Sequence, residues 1–193
     1  MEKLDAQYWT ERYENEQTGW DTHGVTTPLK EYFDQLEDLS LRVLVPGSGN
    51  AYEAGYLWER GFQHVFVLDW AAPPLQYFAE KYPDFPKSQL LQSDFFDLSG
   101  QFDLIIEQTF FCAFDPELRT DYVKKVHSLL KKGGKLTGLL WDTDFAGGPP
   151  FGGSLREYEQ LFADHFEIDI LAPAYNSIKP RAGREVFIKM IKR

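Results

Sequence analysis

Leu41-Arg42-Val43-Leu44-Val45-Pro46-Gly47-Ser48-Gly49 decides the fold. An apolar run too short for a helix ends in a glycine-rich turn, and the chain then carries Glu53, Tyr56 and Leu57 toward Gly61 at helical spacing. This is a strand, a tight turn and a helix. The unit recurs: Val65 to Leu68 ends in Asp69, and Pro73-Pro74 opens a helix whose inner stripe is Leu75, Phe78, Ala79 and Tyr82. Leu90-Leu91 leads to Asp94-Phe95-Phe96, and Phe102 to Ile106 leads to Glu107. Asp115-Pro116 caps a helix with Tyr122, Val123, Val126, Leu129 and Leu130 facing inward, and Gly133-Gly134 is expected to stop it. Lys135 to Trp141 makes a further strand. After it come a Gly/Pro loop from Asp142 to Gly153 and a helix with a Ser154…Glu157 capping box. Two alternating stretches, Phe166 to Ile170 and Val186 to Met190, read as half-buried antiparallel strands closing the sheet.

Strands that are apolar throughout and alternate with helices require a parallel sheet between helical layers. The expectation is a Rossmann-like α/β fold: a mostly parallel, seven-stranded sheet with an antiparallel C-terminal hairpin, in one domain over residues 1–193. Residues 1–38 precede the first strand as an N-terminal helical arm, and 39–193 form the core. In the arm, residues 5 to 17 read as a polar helix with Trp9 and Tyr13 on one face. Thr27 is read as the N-cap of a second helix, ahead of Pro28.

Composition narrows the partners. Of 193 residues, 43% are hydrophobic and 26% charged, as in ordinary globular proteins, and the net charge of −10 repels polyphosphates and anionic bilayers. Nucleic acid and membrane are therefore not expected as partners. One cysteine, Cys112, cannot form an internal disulfide, and no leader-like or long apolar segment opens the chain, so a cytoplasmic monomer is expected. Four histidines at unrelated spacings and exposed Asp142 and Asp144 make no metal site in this reading, although the two aspartates would be the place for Mg²⁺ in an O-methyltransferase.

In sheets of this kind ligands sit beyond the carboxyl ends of the strands, where strand order reverses. Gly47 and Gly49 admit a close ligand there, but Tyr52 occupies the place of the third glycine of the dinucleotide fingerprint, which counts against an NAD-dependent oxidoreductase. Asp69 lies twenty positions after Gly49, the distance at which a carboxylate meets ribose hydroxyls; its structural alternative is capping the next helix. Asp94 can accept from an exocyclic amino group with Phe95 against the purine, or simply form an Asx turn. An adenosine site without a diphosphate clamp points to S-adenosylmethionine, whose sulfonium suits acidic and aromatic walls. Trp9, Tyr13 and Trp20 can offer ring faces to it, or can plug the end of the sheet instead. Arg119 is the candidate cation to favour a thiolate acceptor, with a plain surface-helix role as its alternative.

These residues bring a family into view. The chain resembles the thiopurine S-methyltransferase superfamily, and within it the thiol and halide methyltransferase branch, over nearly its whole length. The resemblance rests on Trp9…Tyr13…Trp20-Asp21, Thr27-Pro28-Leu29, Val45-Pro46-Gly47-Ser48-Gly49, Asp69, Ser93-Asp94-Phe95-Phe96, Phe110-Phe111-Cys112-Ala113, Glu117-Leu118-Arg119 and Gly147-Gly148-Pro149-Pro150-Phe151. It implies methyl transfer from S-adenosylmethionine to a small soft nucleophile: a thiol, thiopurine, thiocyanate or halide. It also implies that Trp9, Tyr13, Trp20, Gly47, Asp69, Asp94, Phe95 and Gln108 line the cofactor site. Two positions depart from the branch, which has tyrosines where this chain has Gln108 and Trp141. Trp141 ends the fifth strand and, with Arg119, is taken as a catalytic candidate. Loss of both phenols weighs against halide transfer and leaves open a homologue that binds the cofactor with little turnover.

Overall fold

The computed structural model describes residues 4–193. Seven strands, β1 Val43–Pro46, β2 Val65–Asp69, β3 Leu90–Gln92, β4 Phe102–Gln108, β5 Leu130–Trp141, β6 Phe166–Pro173 and β7 Glu185–Lys192, form one sheet in the order β3-β2-β1-β4-β5-β7-β6. Only β7 runs against its neighbours β5 and β6; the pairs among β1 to β5 are parallel. Strand order therefore reverses between β1 and β4, and a crevice opens above their carboxyl ends. No helix among the described residues is long and apolar enough to cross a membrane.

Burial explains the layering. Val43 and Val45 face one side of the sheet and Leu44 the other, all at 2% exposure or less. Three helices, α2 Thr27–Asp34, α3 Tyr52–Glu59 and α4 Ala72–Lys81, cover the first side with Leu29, Phe33, Leu57 and Phe78. Opposite them, α5 Arg119–Leu129 and α6 Leu155–Ala163 bury Tyr122, Val126, Tyr158 and Phe162. Each such side chain contributes about 1.5–3 kcal/mol of transfer free energy, so both layers are held by apolar burial.

Three boundaries differ from the sequence reading. In the second helix the N-cap is Thr26 rather than Thr27, and Pro28 still occupies the first turn. The arm helix α1 Ala6–Glu14 is shorter than 5 to 17, capped by Asp5, whose carboxylate accepts from the N–H groups of Gln7 and Tyr8; residues 1–3 of the expected arm lie outside the described residues. Most instructive is α5, which ends at Leu129, before Gly133-Gly134. Leu130 already pairs with Phe102 and Lys135 with Leu104, so the glycines serve a bulge in β5, with Gly133 at φ +75°. A helix stop and a bulge use the same left-handed conformation, and local sequence does not distinguish them.

One buried carboxylate joins the sheet to the second helical layer. Glu107, at the end of β4 and fully buried, accepts from the Phe110 and Phe111 N–H groups at 2.9 Å each and from the Tyr122 hydroxyl at 2.5 Å. Its three donors fix the turn that leaves β4 above the crevice. Replacing Tyr122 by Phe strips one of them and is expected to cost about 1–3 kcal/mol in urea unfolding; a loss below about 0.5 kcal/mol would show that the hydroxyl does not hold the turn.

Candidate active site

A cavity of about 1310 Å³ lies above the carboxyl ends of β1, β2, β4 and β5. Its floor is the turn after β1. Gly47 and Gly49 both have positive φ, +54° and +51°, and a Cβ on Gly47 would lie 1.9 Å from the Phe110 ring. No side chain fits there, because the Phe110 ring packs directly against the turn. The turn is tied to β2: Asp69 accepts from the Gly49 N–H and the Ala71 N–H, each at 2.9 Å. Both readings of Asp69 are thus met in part. It braces two turns, yet it lines the cavity and each carboxylate oxygen keeps a lone pair. Burial pushes its pKa up, against the pull of the backbone donors.

Asp94 lines the same cavity and likewise keeps its structural role, accepting from Phe96 N–H at 2.8 Å to start a 3-10 turn. Phe95 reaches the cavity wall but is 4% exposed, with its ring stacked on Tyr122 at 5.6 Å. Gln108 enters from the end of β4, and both polar atoms of its side-chain amide are buried without a partner. A buried, unpaired amide beside a cavity costs free energy unless a ligand pairs it.

The arm closes the other side. Trp9 and Tyr13 each meet Trp20 edge to face, at 5.6 and 5.7 Å between ring centres. Tyr13 takes a hydrogen bond from the Trp20 indole, and burial near Asp69 drives its hydroxyl pKa upward, so it stays neutral. Asp21 accepts from the Asn50 amide at 2.7 Å, which pins the arm to the glycine turn. Trp141, ending β5, stands across the cavity with its ring 5.1 Å from the Arg181 guanidinium. The loop Asp142 to Gly153 follows, and Phe151 N–H donates to the Cys112 carbonyl at 2.7 Å, holding the loop over the cavity.

Arg119 is a correction to the sequence reading. It does not line the cavity: its guanidinium pairs with Glu157, donates to the Gly152 carbonyl at 2.5 Å and lies 5.0 Å over the Phe111 ring. Nor is it a surface residue, being 6% exposed. Its neighbours come from far along the chain and take up the charge that was assigned to the acceptor. Glu157, expected to close a capping box, thus serves Arg119, while Ser154 still caps α6 by accepting from the Glu157 N–H. Asp142 caps the same helix, accepting from Leu155 N–H at 3.1 Å.

Two cavity residues carried no signal in the sequence. Arg181 is buried in the turn between β6 and β7, bonded to the Trp20 carbonyl at 2.8 Å and paired with Glu185 at 3.2 Å. Glu53, on the first turn of α3, is 4% exposed, and one of its oxygens has no partner. Arg181 contacts Trp20 across 161 positions, a separation that no motif spans. Among the described residues the wall cations Arg12 and Arg181 are outnumbered by Asp21, Glu53, Asp69, Asp94 and Asp115, so the cavity favours a cationic guest over a diphosphate.

The family model described as thiopurine S-methyltransferase matches residues 4–189. The chain belongs to that family. Among its relatives is a probable thiol methyltransferase of Arabidopsis thaliana, 32% identical over 92% of this chain and 81% of that one. A thiocyanate methyltransferase of Brassica oleracea is 32% identical over 95% and 84%. In fold the chain is similar to a Burkholderia thailandensis 1,6-didemethyltoxoflavin N1-methyltransferase solved with S-adenosylhomocysteine, with a TM-score of 0.78 at 18% identity over 97% and 86% of the two chains. This family member is thus an S-adenosylmethionine-dependent methyltransferase with a Rossmann-like fold. The unpaired Gln108 amide, with the glycine turn on the same cavity wall, fits a nucleoside-bearing cofactor.

Glu53 and Glu107 both have pKa values raised to about 7 by burial, from an ordinary value of 4.5. The folded state therefore holds more protons than the unfolded chain between those values, and their contribution to stability is complete below about 4.5 and lost as pH rises through about 7. Glu53→Gln is expected to be more stable than wild type by about 1–3 kcal/mol near pH 8 and to lose that advantage near pH 5, read from urea unfolding at both values. An advantage that does not change with pH would refute the assignment.

Proposed function

We propose that this methyltransferase acts on small soft sulfur nucleophiles, thiols and thiocyanate ahead of halides, and that the cavity above β1 and β4 holds both reactants. The carrying observation is the wall itself: the rings of Trp9, Tyr13, Trp20 and Trp141, with more carboxylates than cations among them. Such a wall favours a sulfonium by cation–π and charge attraction, about 0.5–2 kcal/mol per well-placed ring.

Each residue has a role in this reading. Gly47 and Gly49 let the cofactor approach the backbone. Asp69 takes the ribose hydroxyls with its free lone pairs, and Asp94 with Phe95 takes the adenine. Trp9, Tyr13 and Trp20 enclose the methionine end, and Gln108 supplies the amide that lacks a partner. S-adenosylmethionine brings a methyl carbon on a positively charged sulfur, ready for displacement. What the protein must do is hold the acceptor in line about 3–3.5 Å from that carbon and keep water out. Trp141 faces the acceptor space in place of the branch's tyrosine, and an indole N–H differs from a phenol in reach and direction. That difference supports sulfur acceptors over halides. Arg119 acts at a distance by bracing the Gly152 carbonyl and so the Gly147–Phe151 loop, which serves as a lid together with the described part of the arm ahead of α2. The buried thiol of Cys112 supports a cytoplasmic setting.

Methyl transfer measured with thiocyanate, an aliphatic thiol and iodide tests the reading. We expect both sulfur acceptors to give a higher kcat/KM than iodide, and the opposite order would overturn it. In a second test, Asp69→Ala should weaken S-adenosylhomocysteine binding by about 1–3 kcal/mol in calorimetric titration, since two ribose hydroxyls lose their acceptor. Unchanged affinity would remove Asp69 from the site.

A further inference from the structure

Glu53 is a carboxylate on the cavity wall that the roles above leave unused, and its surroundings are unusual for a bracing residue. It sits at the start of α3, 4% exposed, with one side-chain oxygen fully buried and unpartnered. Other buried carboxylates here have structural partners: Glu107 has three donors, Asp69 has two, and Glu185, although one of its oxygens is also unpartnered, is paired with Arg181. The charged groups that face Glu53 are Arg181, from the turn between β6 and β7, and Asp21, from the arm. Arg181 is already paired with Glu185 and bonded to the Trp20 carbonyl, so it does not neutralise Glu53 outright. That leaves a carboxylate with an unpartnered oxygen on the cavity wall, beside a cation that stabilises anions.

We propose that Glu53 is the proton acceptor for neutral thiol substrates, a role that rests on the acceptor reading of the preceding section. A thiol is mostly protonated at neutral pH, with an ordinary pKa of about 8.5, and the protonated sulfur is a weak nucleophile. In the step, the S–H bond breaks toward the free oxygen of Glu53, and the pair left on sulfur forms the new bond to the cofactor's methyl carbon. The old carbon–sulfur pair stays with the cofactor's sulfur. Charge balances: carboxylate, thiol and sulfonium become carboxylic acid and two neutral thioethers, and the proton leaves to water when the products do. Burial raises the Glu53 pKa to about 7, which places it where a base for this purpose works best. Thiocyanate carries no proton to give and makes no such demand. One wall can therefore serve permanent anions without Glu53 and neutral thiols through it.

The test compares kcat/KM for 2-mercaptoethanol and for thiocyanate at about pH 6.5, where such a thiol is mostly protonated. In Glu53→Gln the thiol-to-thiocyanate ratio is expected to fall about 100-fold, within the range general-base catalysis supplies, and Glu53→Asp should recover part of it. A ratio within about threefold of wild type overturns the role of Glu53 and leaves the acceptor reading standing. Wild-type protein that methylates neither compound overturns both. Should Glu53→Gln fail to fold, the wild-type ratio against pH decides: a rise that levels off near pH 7 supports Glu53, and a rise that follows only the ionisation of the thiol excludes it.

Discussion

The bond on which the site depends is the double acceptance by Asp69. Its carboxylate holds the Gly49 N–H with one oxygen and the Ala71 N–H with the other, both at 2.9 Å, and so fastens the turn after β1 to the turn after β2. Positive φ at Gly47 and Gly49 keeps that turn low enough for a ligand to lie on it, and Asp69 keeps it from relaxing. A residue that both braces two turns and faces the cavity leaves little freedom at this position: a side chain without two acceptor oxygens releases at least one of the turns.

Around this centre the protein spends its buried charge in two ways. Glu107 and Arg119 are structural: one fixes the turn after β4, and the other ties α5 to Glu157 and the Gly152 carbonyl. Glu53 and Arg181 lie on the cavity wall. All four are buried, so burial alone does not mark function. What separates the two glutamates is satisfaction. Glu107 has three donors, whereas Glu53 and Gln108 hold buried atoms with no partner. In a folded protein an unmet buried polar atom at a cavity wall is most simply read as a place kept for something else.

The same contrast explains how the arm works. Its first helix contributes little to the core, since α1 buries no residue completely, whereas α2 is anchored by Leu29 and Phe33. Its hold comes from a few contacts, Asp21 to Asn50 and the Trp20 carbonyl to Arg181, which set its three rings around the mouth of the cavity. An element with a small apolar footing and a few polar ties is suited to opening and closing over a ligand.

The sequence by itself determined the order of strands and helices, the layer structure and the strand-end residues Gly47, Asp69 and Asp94, because periodicity and turn chemistry are local and the carboxyl ends of parallel strands share one side of a sheet; Gln108 came from the family resemblance alone. It also placed the aromatic arm, since Trp9 and Tyr13 fall on one helix face. It could not decide whether Gly133-Gly134 ends a helix or makes a bulge, as both need the same left-handed backbone and only the pairing of Leu130 with Phe102 chooses. Nor could it find the partners of Arg119, which come from α6 and the loop before it, or bring Arg181 to Trp20. Charged side chains are satisfied by whatever the fold delivers within hydrogen-bond reach. Tertiary structure alone therefore moved the cation on the wall from Arg119 to Arg181 and revealed Glu53 as a carboxylate with an oxygen left free.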